Sequence, residues 1–283
     1  MAMSNRRQFL QALAAATAAS ALPAALRAAP SREKLARFGL QLYTVRGEMT
    51  KSVERTLEAV AKAGYQEVEF AGYFGRTPAA LRATLDALRL TSPSCHLSID
   101  ALDGDWAGTV AAAKVIGHNT LIVPSLDMRK LTDTAAWKTM AARFNELGKK
   151  AAGEGLRIGY HNHNADFRRL ADGTVPFDVF VSETQPALVD FEMDPYWIQY
   201  ANEDPLAWFA KFPGRFRFVH VKDGGPRPQF EMRDVGDGTI DWKAIFARHT
   251  QAGIRYYFVE HDQPKDPLAS IEASARYLKQ LEF

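Results

Sequence analysis

Short apolar runs alternate eight times with longer amphipathic stretches along this chain. Runs of this length predict strands, and stretches with a helical period of apolar residues predict helices. Regular strand–helix alternation is typical of a parallel sheet, and eight units without a long break predict an α/β fold, a closed (β/α)8 barrel in one domain. The predicted strands are Phe38–Thr44, Glu67–Phe70, Ser94–Ser98, Thr120–Pro124, Arg157–His163, Leu188–Asp194, Phe216–Lys222 and Tyr256–Asp262.

Glycines mark the ends of several predicted helices, because a left-handed residue at a helix end costs least in glycine. The longest irregular stretch, Asp223–Gly238, follows the seventh strand, at the end of a barrel where loops most often carry function. The predicted helices include Ser52–Ala63, Pro78–Leu88, Ala135–Ala152, Trp242–Gln251 and Ala269–Leu281, and the glycines are Gly64, Gly117, Gly155, Gly214 and Gly253.

Residues 1–30 are predicted to be an export signal rather than part of the fold. Arg6 and Arg7 precede Phe9 and Leu10, and an alanine-rich apolar run follows. This pattern resembles a twin-arginine signal, so the expected partner is the twin-arginine export machinery and the expected location is the periplasm or the medium. A short amphipathic helix is the alternative. The apolar run is too short for a membrane span, so no stable membrane anchor is expected.

Residues 31–283 are predicted to form the catalytic barrel, because about 250 residues is the usual size of one such domain. The chain has 35 Lys and Arg against 33 Asp and Glu, without a basic stripe, so nucleic acid is not an expected partner. Cys95 is the single cysteine, which excludes an intrachain disulfide, and we expect it to be buried by packing. The sequence contains no nucleophile elbow, no cysteine pair for zinc and no dinucleotide fingerprint.

Alternation along the predicted strands places many charged residues on one face. On the sixth strand Val189, Phe191 and Met193 share one face and should meet the helices, so the acidic residues between them point into the barrel. The same reasoning applies to the other strands. The predicted inward residues are Glu67, Glu69, His96, Ser98, His161, His163, Asp190, Glu192, Asp194, His220, Lys222, Glu260 and Asp262.

Such a concentration of carboxylates requires compensation, because burying one unpaired carboxylate costs several kcal/mol. A divalent cation bound by Asp, Glu and His offsets that cost directly. The alternative is a network of ion pairs with Lys222. We favour the metal, because the inward groups cluster near the C-terminal ends of the strands, where barrel active sites lie.

Several motifs follow one another in order on the last four predicted strands, and further motifs lie at the second strand and before the seventh helix. In this order they resemble the sugar phosphate isomerase/epimerase family, which has a xylose isomerase-like TIM barrel. The motifs are Tyr160-His161-Asn162-His163, Asp194-Pro195-Tyr196-Trp197, Phe218-Val219-His220-Val221-Lys222-Asp223, Val259-Glu260-His261-Asp262, Gly64-Tyr65-Gln66-Glu67-Val68-Glu69 and Gly236-Asp237-Gly238-Thr239-Ile240-Asp241-Trp242.

The resemblance implies one divalent metal cation, Mn²⁺, Zn²⁺, Co²⁺ or Mg²⁺, held by one residue from each of strands five to eight. The family's usual set is Glu, Asp, His, Glu, and the last three carry over to Asp194, His220 and Glu260. The first falls on His161, which is not a glutamate. Two histidines and two carboxylates still suit a borderline divalent metal. The competing residues are Asp190 or Glu192 for Asp194, and His163 for His161.

The resemblance also implies a reaction. Family members use glutamates on strands five and eight as an acid/base pair across the sugar, while the metal polarises the carbonyl. Here Glu260 is the expected base, and His161 is either the opposing acid or only a ligand. In the second case His163, Lys222 or Glu69 takes that role. Lys222 is also a candidate for binding a substrate oxygen.

Further residues are interpreted as substrate-binding or supporting groups. Glu69, His96 and His163 share the inward face, and Trp197 and Tyr43 are candidates for an apolar wall against a sugar ring. Packing in the core is the alternative for each aromatic residue. Asn162 points the other way and is expected to be a structural hydrogen-bonding residue.

The resulting prediction is a metal-dependent isomerase or epimerase that abstracts a proton next to the carbonyl of a sugar or keto-sugar. The alternatives are a metal-dependent lyase that performs β-elimination on a 3-keto-glycoside, and a sugar-binding barrel without catalysis. Export makes a phosphorylated substrate less favoured. A DNA repair endonuclease of the same barrel type needs a basic groove, which the charge balance disfavours. A homodimer is a further expectation for this architecture.

Overall fold

A computed structural model describes residues 33–283, so the predicted export signal lies outside the described residues. Eight parallel strands close into a barrel in which each strand pairs with its neighbours in sequence and β1 pairs with β8. The predicted fold class is therefore confirmed, whereas the domain boundary at residue 30 stays a prediction. The barrel strands are β1 Gly39–Gln41, β2 Glu67–Ala71, β3 Thr91–His96, β4 Thr120–Val123, β5 Arg157–His161, β6 Val189–Met193, β7 Phe216–Val221 and β8 Tyr256–Val259.

Helices fill the connections between the strands and pack their apolar sides against the outside of the barrel. Short 3₁₀ turns cover Leu42–Val45, Met128–Lys130 and Asn164–Phe167. The helices are α1 Arg46–Lys51, α2 Val53–Ala63, α3 Pro78–Leu88, α4 Ile99–Gly104, α5 Trp106–Ile116, α6 Thr134–Gly153, α7 Pro176–Glu183, α8 Pro195–Tyr200, α9 Pro205–Lys211, α10 Trp242–Phe246, α11 His249–Ala252 and α12 Pro267–Gln280.

Most strands end earlier than the sequence pattern predicts, because side chains at their ends begin turns. The Gln41 side chain accepts a hydrogen bond from Tyr43 N at 3.0 Å and starts a 3₁₀ turn. Asp194 caps α8 by accepting from Trp197 N at 3.1 Å, and Pro195 occupies the first position of that helix. Polar residues that were predicted inside strands therefore lie at the loop side of the strand ends.

The predicted helix Trp242–Gln251 is wrong as a single element. It is divided into α10 and α11 at Ala247 and Arg248. Arg248 N donates to Ile245 O at 3.1 Å, a 3₁₀ type of bond that tightens the chain and changes its direction. Apolar periodicity continues across such a break, so the pattern alone does not reveal it.

An apolar layer fills the middle of the barrel below the polar residues. Ile122, Phe218 and Phe258 form a buried cluster separate from the larger core outside the barrel. A Cβ atom at Gly39 would lie 2.4 Å from the Phe258 ring, so only glycine leaves room for that ring. Phe218 precedes His220 by two positions on β7, so the polar groups near the strand ends rest on this apolar layer.

Two inward carboxylates near the N-terminal strand ends have arginine partners. Asp190 accepts hydrogen bonds from Arg157 Nε at 2.5 Å and Nη2 at 2.8 Å, and Glu67 lies 3.3 Å from Arg37 Nε. The alternation prediction is right about their face, but these pairs place them at the end opposite to the candidate site. Asp190 is thus not a competitor for Asp194.

The long segment after β7 is organised around the buried carboxylate of Asp223. Its Oδ1 accepts from Gly224 N at 2.9 Å and Ile240 N at 3.2 Å, and its Oδ2 accepts from Gly236 N at 2.9 Å and Trp242 Nε1 at 3.2 Å. One side chain thereby ties the beginning of the segment to its end.

We expect Asp223→Asn to lower the free energy of unfolding by about 2 kcal/mol, because an amide NH₂ replaces an acceptor and faces buried donors. Urea unfolding followed by circular dichroism measures this change. Asp237→Asn, at an exposed position of the same segment, is the matched control and should stay within about 0.5 kcal/mol of the wild type. Equal unfolding free energies for both variants would show that Asp223 does not organise the segment.

Candidate functional site

The four predicted metal ligands meet at the C-terminal ends of β5 to β8. His161 ends β5, Asp194 follows β6, His220 is near the end of β7 and Glu260 follows β8. Each is buried, and one ligand atom from each lies within 4.8 Å of the others. Parallel strands bring these residues together because their ends share one rim of the barrel.

The four residues turn particular ring nitrogens and carboxylate oxygens towards one another. His161 Nε2 lies 3.8 Å from Asp194 Oδ2, and His220 Nδ1 lies 2.8 Å from Glu260 Oε2. Asp194 Oδ1 is engaged by Trp197 N, which leaves Oδ2 turned towards the cluster. Oδ2 is buried and accepts no hydrogen bond.

These residues fit a divalent cation. Nitrogen and oxygen ligands lie about 2.1 Å from ions such as Zn²⁺, so two ligand atoms of a tetrahedral ion are about 3.4 Å apart. The four ligand atoms lie within 4.8 Å of one another, so side-chain shifts of about an ångström would bring them to one ion. Asp194 Oδ2 is buried, accepts no hydrogen bond of good geometry and has only the Lys222 ammonium group at 3.1 Å as a charged partner, so a cation at the ligand set would satisfy it further.

Lys222 forms the ion-pair network that was the alternative to a metal. Its Nζ lies 3.1 Å from Asp194 Oδ2, 2.8 Å from Glu260 Oε2 and 2.9 Å from Asp262 Oδ1. Burial alone would lower the pKa of Lys222, but the three carboxylates hold it well above its ordinary value. The side chain is therefore a charged hydrogen-bond donor rather than a base, and it lies beside the four ligand atoms.

Burial and the charges of the neighbours also determine how Glu260 and His161 titrate. Burial alone would raise the pKa of Glu260, but Lys222 and His220 hold it well below its ordinary value. Burial and the nearby His220 hold the pKa of His161 well below its ordinary value, so its ring is neutral and keeps a lone pair. Glu260 is thus ionised, as a base or a ligand must be.

A second group of residues lies deeper in the barrel. His96, Glu192 and Glu69 are packed beneath His161 and His220, and His96 Nε2 lies 2.7 Å from Glu192 Oε2. Burial alone would lower the pKa of His96, but Glu69 and Glu192 raise it to about 9. The second group that could hold an ion consists of His96, His161, Glu192 and His220.

Three residues of this region were missed or given a minor place by the sequence analysis. Glu192 was treated only as an inward residue that competes with Asp194, and Asp262 only as an inward residue. Gln41 was not singled out, yet its Nε2 donates to Glu69 Oε1 at 2.6 Å. Inward alternation identified Glu192 and Asp262, but no sequence signal marked Gln41, since a glutamine can face either side of a strand.

A cavity of about 500 Å³ opens above the ligand set. Of the predicted substrate-binding residues, His96, His163 and Tyr43 line it, whereas Glu69 is fully buried below. Trp197 stacks at a tilt against His163, with ring centres 5.6 Å apart, and its ring lies 5.5 Å from Lys222 Nζ. The cavity is lined by Tyr43, Ala71, His96, Pro124, Ser125, His161, His163, Lys222, Glu260, Asp262 and Gln263.

Asn162 has the structural role that its outward position predicted. Its Nδ2 donates to Asp194 O at 3.3 Å, and its Oδ1 accepts from Asp194 N at 3.0 Å. This pair of bonds fixes the backbone of Asp194 against the end of β5.

Comparison with known proteins places these features in a family. The sequence model of the xylose isomerase-like TIM barrel family matches residues 57–281, and that of the twin-arginine translocation signal matches residues 3–23. The resemblance drawn from the strand motifs is confirmed, and the signal indicates export through the twin-arginine pathway. Within residues 33–283, no helix has the length and apolar character needed to cross a membrane.

Similar proteins include sugar-converting enzymes. The inosose dehydratase of Geobacillus thermodenitrificans is 24% identical over 260 residues, which cover 79% of this chain and 86% of that protein. The crystal structure of a sugar phosphate isomerase/epimerase from Parabacteroides distasonis is 26% identical, with a TM-score of 0.75, covering 89% of this chain and 95% of that one. The IOLI protein, crystallised with a zinc atom, shares the fold at 14% identity and a TM-score of 0.67, covering 85% of this chain and 95% of that one.

We expect divalent cations to raise the melting temperature of the purified protein by about 5 °C or more at saturating concentration, because an ion that binds only the folded state stabilises it. His220→Asn should abolish the rise. His261→Asn is the matched control, since His261 lies next to Glu260 but accepts from Gln263 N. An equal rise in the His220→Asn variant would place the bound ion elsewhere.

Proposed function

Because the chain belongs to the xylose isomerase-like TIM barrel family, we propose that it is a metal-dependent isomerase or epimerase that removes a proton next to the carbonyl of a sugar or keto-sugar. The observation that carries the proposal is the buried set of His161, Asp194, His220 and Glu260, which opens onto a cavity large enough for a sugar. Buried charge arranged around a cavity is a feature of active sites rather than of packing.

His161, Asp194, His220 and Glu260 would hold a divalent cation, whose positive charge would polarise a carbonyl and stabilise negative charge on its oxygen. Glu260 is the residue placed to take the proton. It lines the cavity and is ionised. A carboxylate has two oxygens, so one can contribute to the cation while the other faces the substrate.

Lys222 complements this role as a donor. Its ammonium group lines the cavity 2.8 Å from Glu260 Oε2, so it can donate a hydrogen bond to a substrate oxygen and stabilise charge that develops there. It also holds Glu260 in place. Because its pKa is raised well above the ordinary value, Lys222 keeps its proton throughout the neutral range.

His163 is the candidate for binding a substrate hydroxyl group in the cavity. Burial and the charge of Lys222 lower its pKa to about 3, so the ring is neutral at neutral pH and can accept a hydrogen bond. His161, by contrast, contacts Asp194 and Glu192 and is better placed as a ligand. The proposed chemistry therefore has Glu260 as the base and a neutral His163 as a hydrogen-bonding group, rather than two glutamates.

The charges around the cavity favour a neutral substrate. Glu260 and Asp262 line it, the one described lysine in the lining, Lys222, is paired with both carboxylates, and the described lining residues include no arginine. A phosphate group carries up to two negative charges and is usually bound by arginine or by backbone amides at a helix start. An exported enzyme with this lining suits a free sugar or a keto-sugar.

Exchange of substrate hydrogen with the solvent tests the proposal. In D₂O, the metal-loaded protein should incorporate deuterium at a carbon next to the carbonyl of one member of a panel of sugars and keto-sugars. Glu260→Gln should slow this exchange about 1,000-fold, since the amide cannot accept the proton. Glu231→Gln, at an exposed position on the segment after β7, is the control and should exchange like the wild type. Substrate binding without exchange at any carbon would instead support a binding barrel without catalysis.

A second outcome of the same proton abstraction is β-elimination, as in a lyase acting on a 3-keto-glycoside. The specific observation in its favour is His161 at the position of the family's strand-five glutamate, which leaves Glu260 without a symmetrical partner. The similar inosose dehydratases carry the name of an elimination. Mass spectrometry of the product separates the two reactions, because an isomer keeps the mass of the substrate whereas elimination loses the leaving group.

Removing the charge of Lys222 should affect metal binding and turnover in opposite directions. Lys222→Met takes a cation away from Asp194 and Glu260, so we expect divalent metal to bind about tenfold or more tightly. We expect kcat to fall about 100-fold, because a donor to the substrate is lost. Metal titration and steady-state kinetics measure the two effects. Weaker metal binding in this variant would mean that Lys222 supports the ligand set instead of competing with the ion.

A further inference from the structure

Three imidazole rings converge on one carboxylate oxygen below the ligand set. Glu192 Oε2 lies 2.7 Å from His96 Nε2, 3.1 Å from His220 Nε2 and 3.2 Å from His161 Nδ1. The Glu192 side chain is fully buried. The direction of His161 Nδ1 departs from a good hydrogen-bond angle, although the distance is within range. Among the described residues, Glu192 thus contacts both histidines of the proposed metal set.

The two histidines turn opposite ring nitrogens towards Glu192. His161 presents Nδ1 to it and leaves Nε2 facing Asp194, whereas His220 presents Nε2 and leaves Nδ1 facing Glu260. Each ring therefore has one nitrogen on the carboxylate below and the other on the ligand set above. No ring nitrogen has to serve both sides.

A neutral imidazole has one nitrogen that donates and one that carries the lone pair for a metal. We propose that Glu192 is the positioning residue that selects the metal-binding tautomer of both His161 and His220 and holds both rings in orientation. The inference rests on the metal centre of the proposed function. With the metal bound, Glu192 would accept the N–H of His161 Nδ1 and share that of His220 Nε2 with Glu69, so the lone pairs of His161 Nε2 and His220 Nδ1 would be directed to the same place.

The distances favour hydrogen bonding at Glu192 over direct ligation there. Two ligand atoms of a tetrahedral zinc site are about 3.4 Å apart. The nitrogens lie 2.7–3.2 Å from Glu192 Oε2, which is the usual range for hydrogen bonds. The other oxygen, Oε1, is buried and has no hydrogen-bond partner. A second cation bound at Glu192 is therefore the competing arrangement, and metal stoichiometry separates the two.

Glu69 provides a matched control at the same depth. Its Oε1 lies 3.0 Å from His220 Nε2 and 3.1 Å from His96 Nε2, and it accepts from Gln41 Nε2. Its contacts among the described residues include one proposed ligand, His220, rather than two. Glu69→Gln and Glu192→Gln make the same chemical change. A difference in metal affinity between them therefore measures the effect of the Glu192 contact with His161, and of one carboxylate contacting both rings.

The experiment is a titration of metal-free protein with Co²⁺, followed by its visible absorption bands, which depend on the ligands and their geometry. The wild type should bind one Co²⁺ per chain. Glu192→Gln should raise the Kd 10- to 100-fold and change the absorption bands. Glu69→Gln should raise it less than about fivefold, because a single ligand loses one of two acceptors. Glu192→Asp keeps an acceptor farther from the rings and should give an intermediate Kd.

Each outcome bears on one claim. If Glu192→Gln binds Co²⁺ with the affinity and spectrum of the wild type, the positioning role is overturned. If the wild type binds two Co²⁺ and this variant one, Glu192 is a ligand of a second cation and the role is again overturned. A wild type that binds no Co²⁺ contradicts the proposed metal centre itself. Should near-ultraviolet circular dichroism show that Glu192→Gln is not folded, Glu192→Asp carries the same comparison.

Discussion

Buried negative charge is the constraint on which the rest of this site depends. Four buried carboxylates and the partly exposed Asp262 lie near the C-terminal strand ends, and Lys222 supplies a single positive charge that contacts three of these five groups. The remaining compensation has to come from protonated histidines or from a divalent cation, because uncompensated carboxylates are costly away from water. Protons and metal are therefore alternatives at the same ring nitrogens. The carboxylates are Glu69, Glu192, Asp194, Glu260 and Asp262.

The environment of the cluster strengthens this constraint. The apolar layer of Ile122, Phe218 and Phe258 underlies the carboxylates, and the barrel wall surrounds them. Interactions between charges are strong in such surroundings because little water screens them, so each group alters the titration of its neighbours. Against the effect of burial, the neighbouring charges keep Glu260 an ionised base and Lys222 a charged donor. The cluster lies at the floor of the cavity. Its charged groups, which are costly for stability, are therefore placed where they can bind a substrate and move a proton.

Strand–helix alternation was sufficient to predict the barrel. Side-chain alternation placed His161, Asp194, His220 and Glu260 among the inward residues near one rim, and the family resemblance singled out these four as ligands. Alternation could not reveal which ring nitrogen each histidine presents, since that depends on the rotation of side chains against neighbouring strands. For the same reason Glu192, on the correct face but two residues deeper than Asp194, was undervalued. Strand ends were placed too late because capping by Asp194 and the turn at Gln41 depend on local hydrogen bonds that hydrophobic patterns do not encode.

The replacement of a strand-five glutamate by His161 separates metal binding from acid/base chemistry in this chain. A neutral histidine can still serve as a ligand, but it lacks the negative charge that a glutamate at this position would bring close to Glu260.

The most direct test of the metal centre is anomalous diffraction from crystals of the metal-loaded protein, measured on both sides of the absorption edge of the ion. The account predicts one peak, about 2.0–2.3 Å from His161 Nε2, Asp194 Oδ2, His220 Nδ1 and a Glu260 oxygen. An anomalous peak at another position would contradict it. So would the absence of a peak at saturating metal, with Lys222 alone contacting these carboxylates.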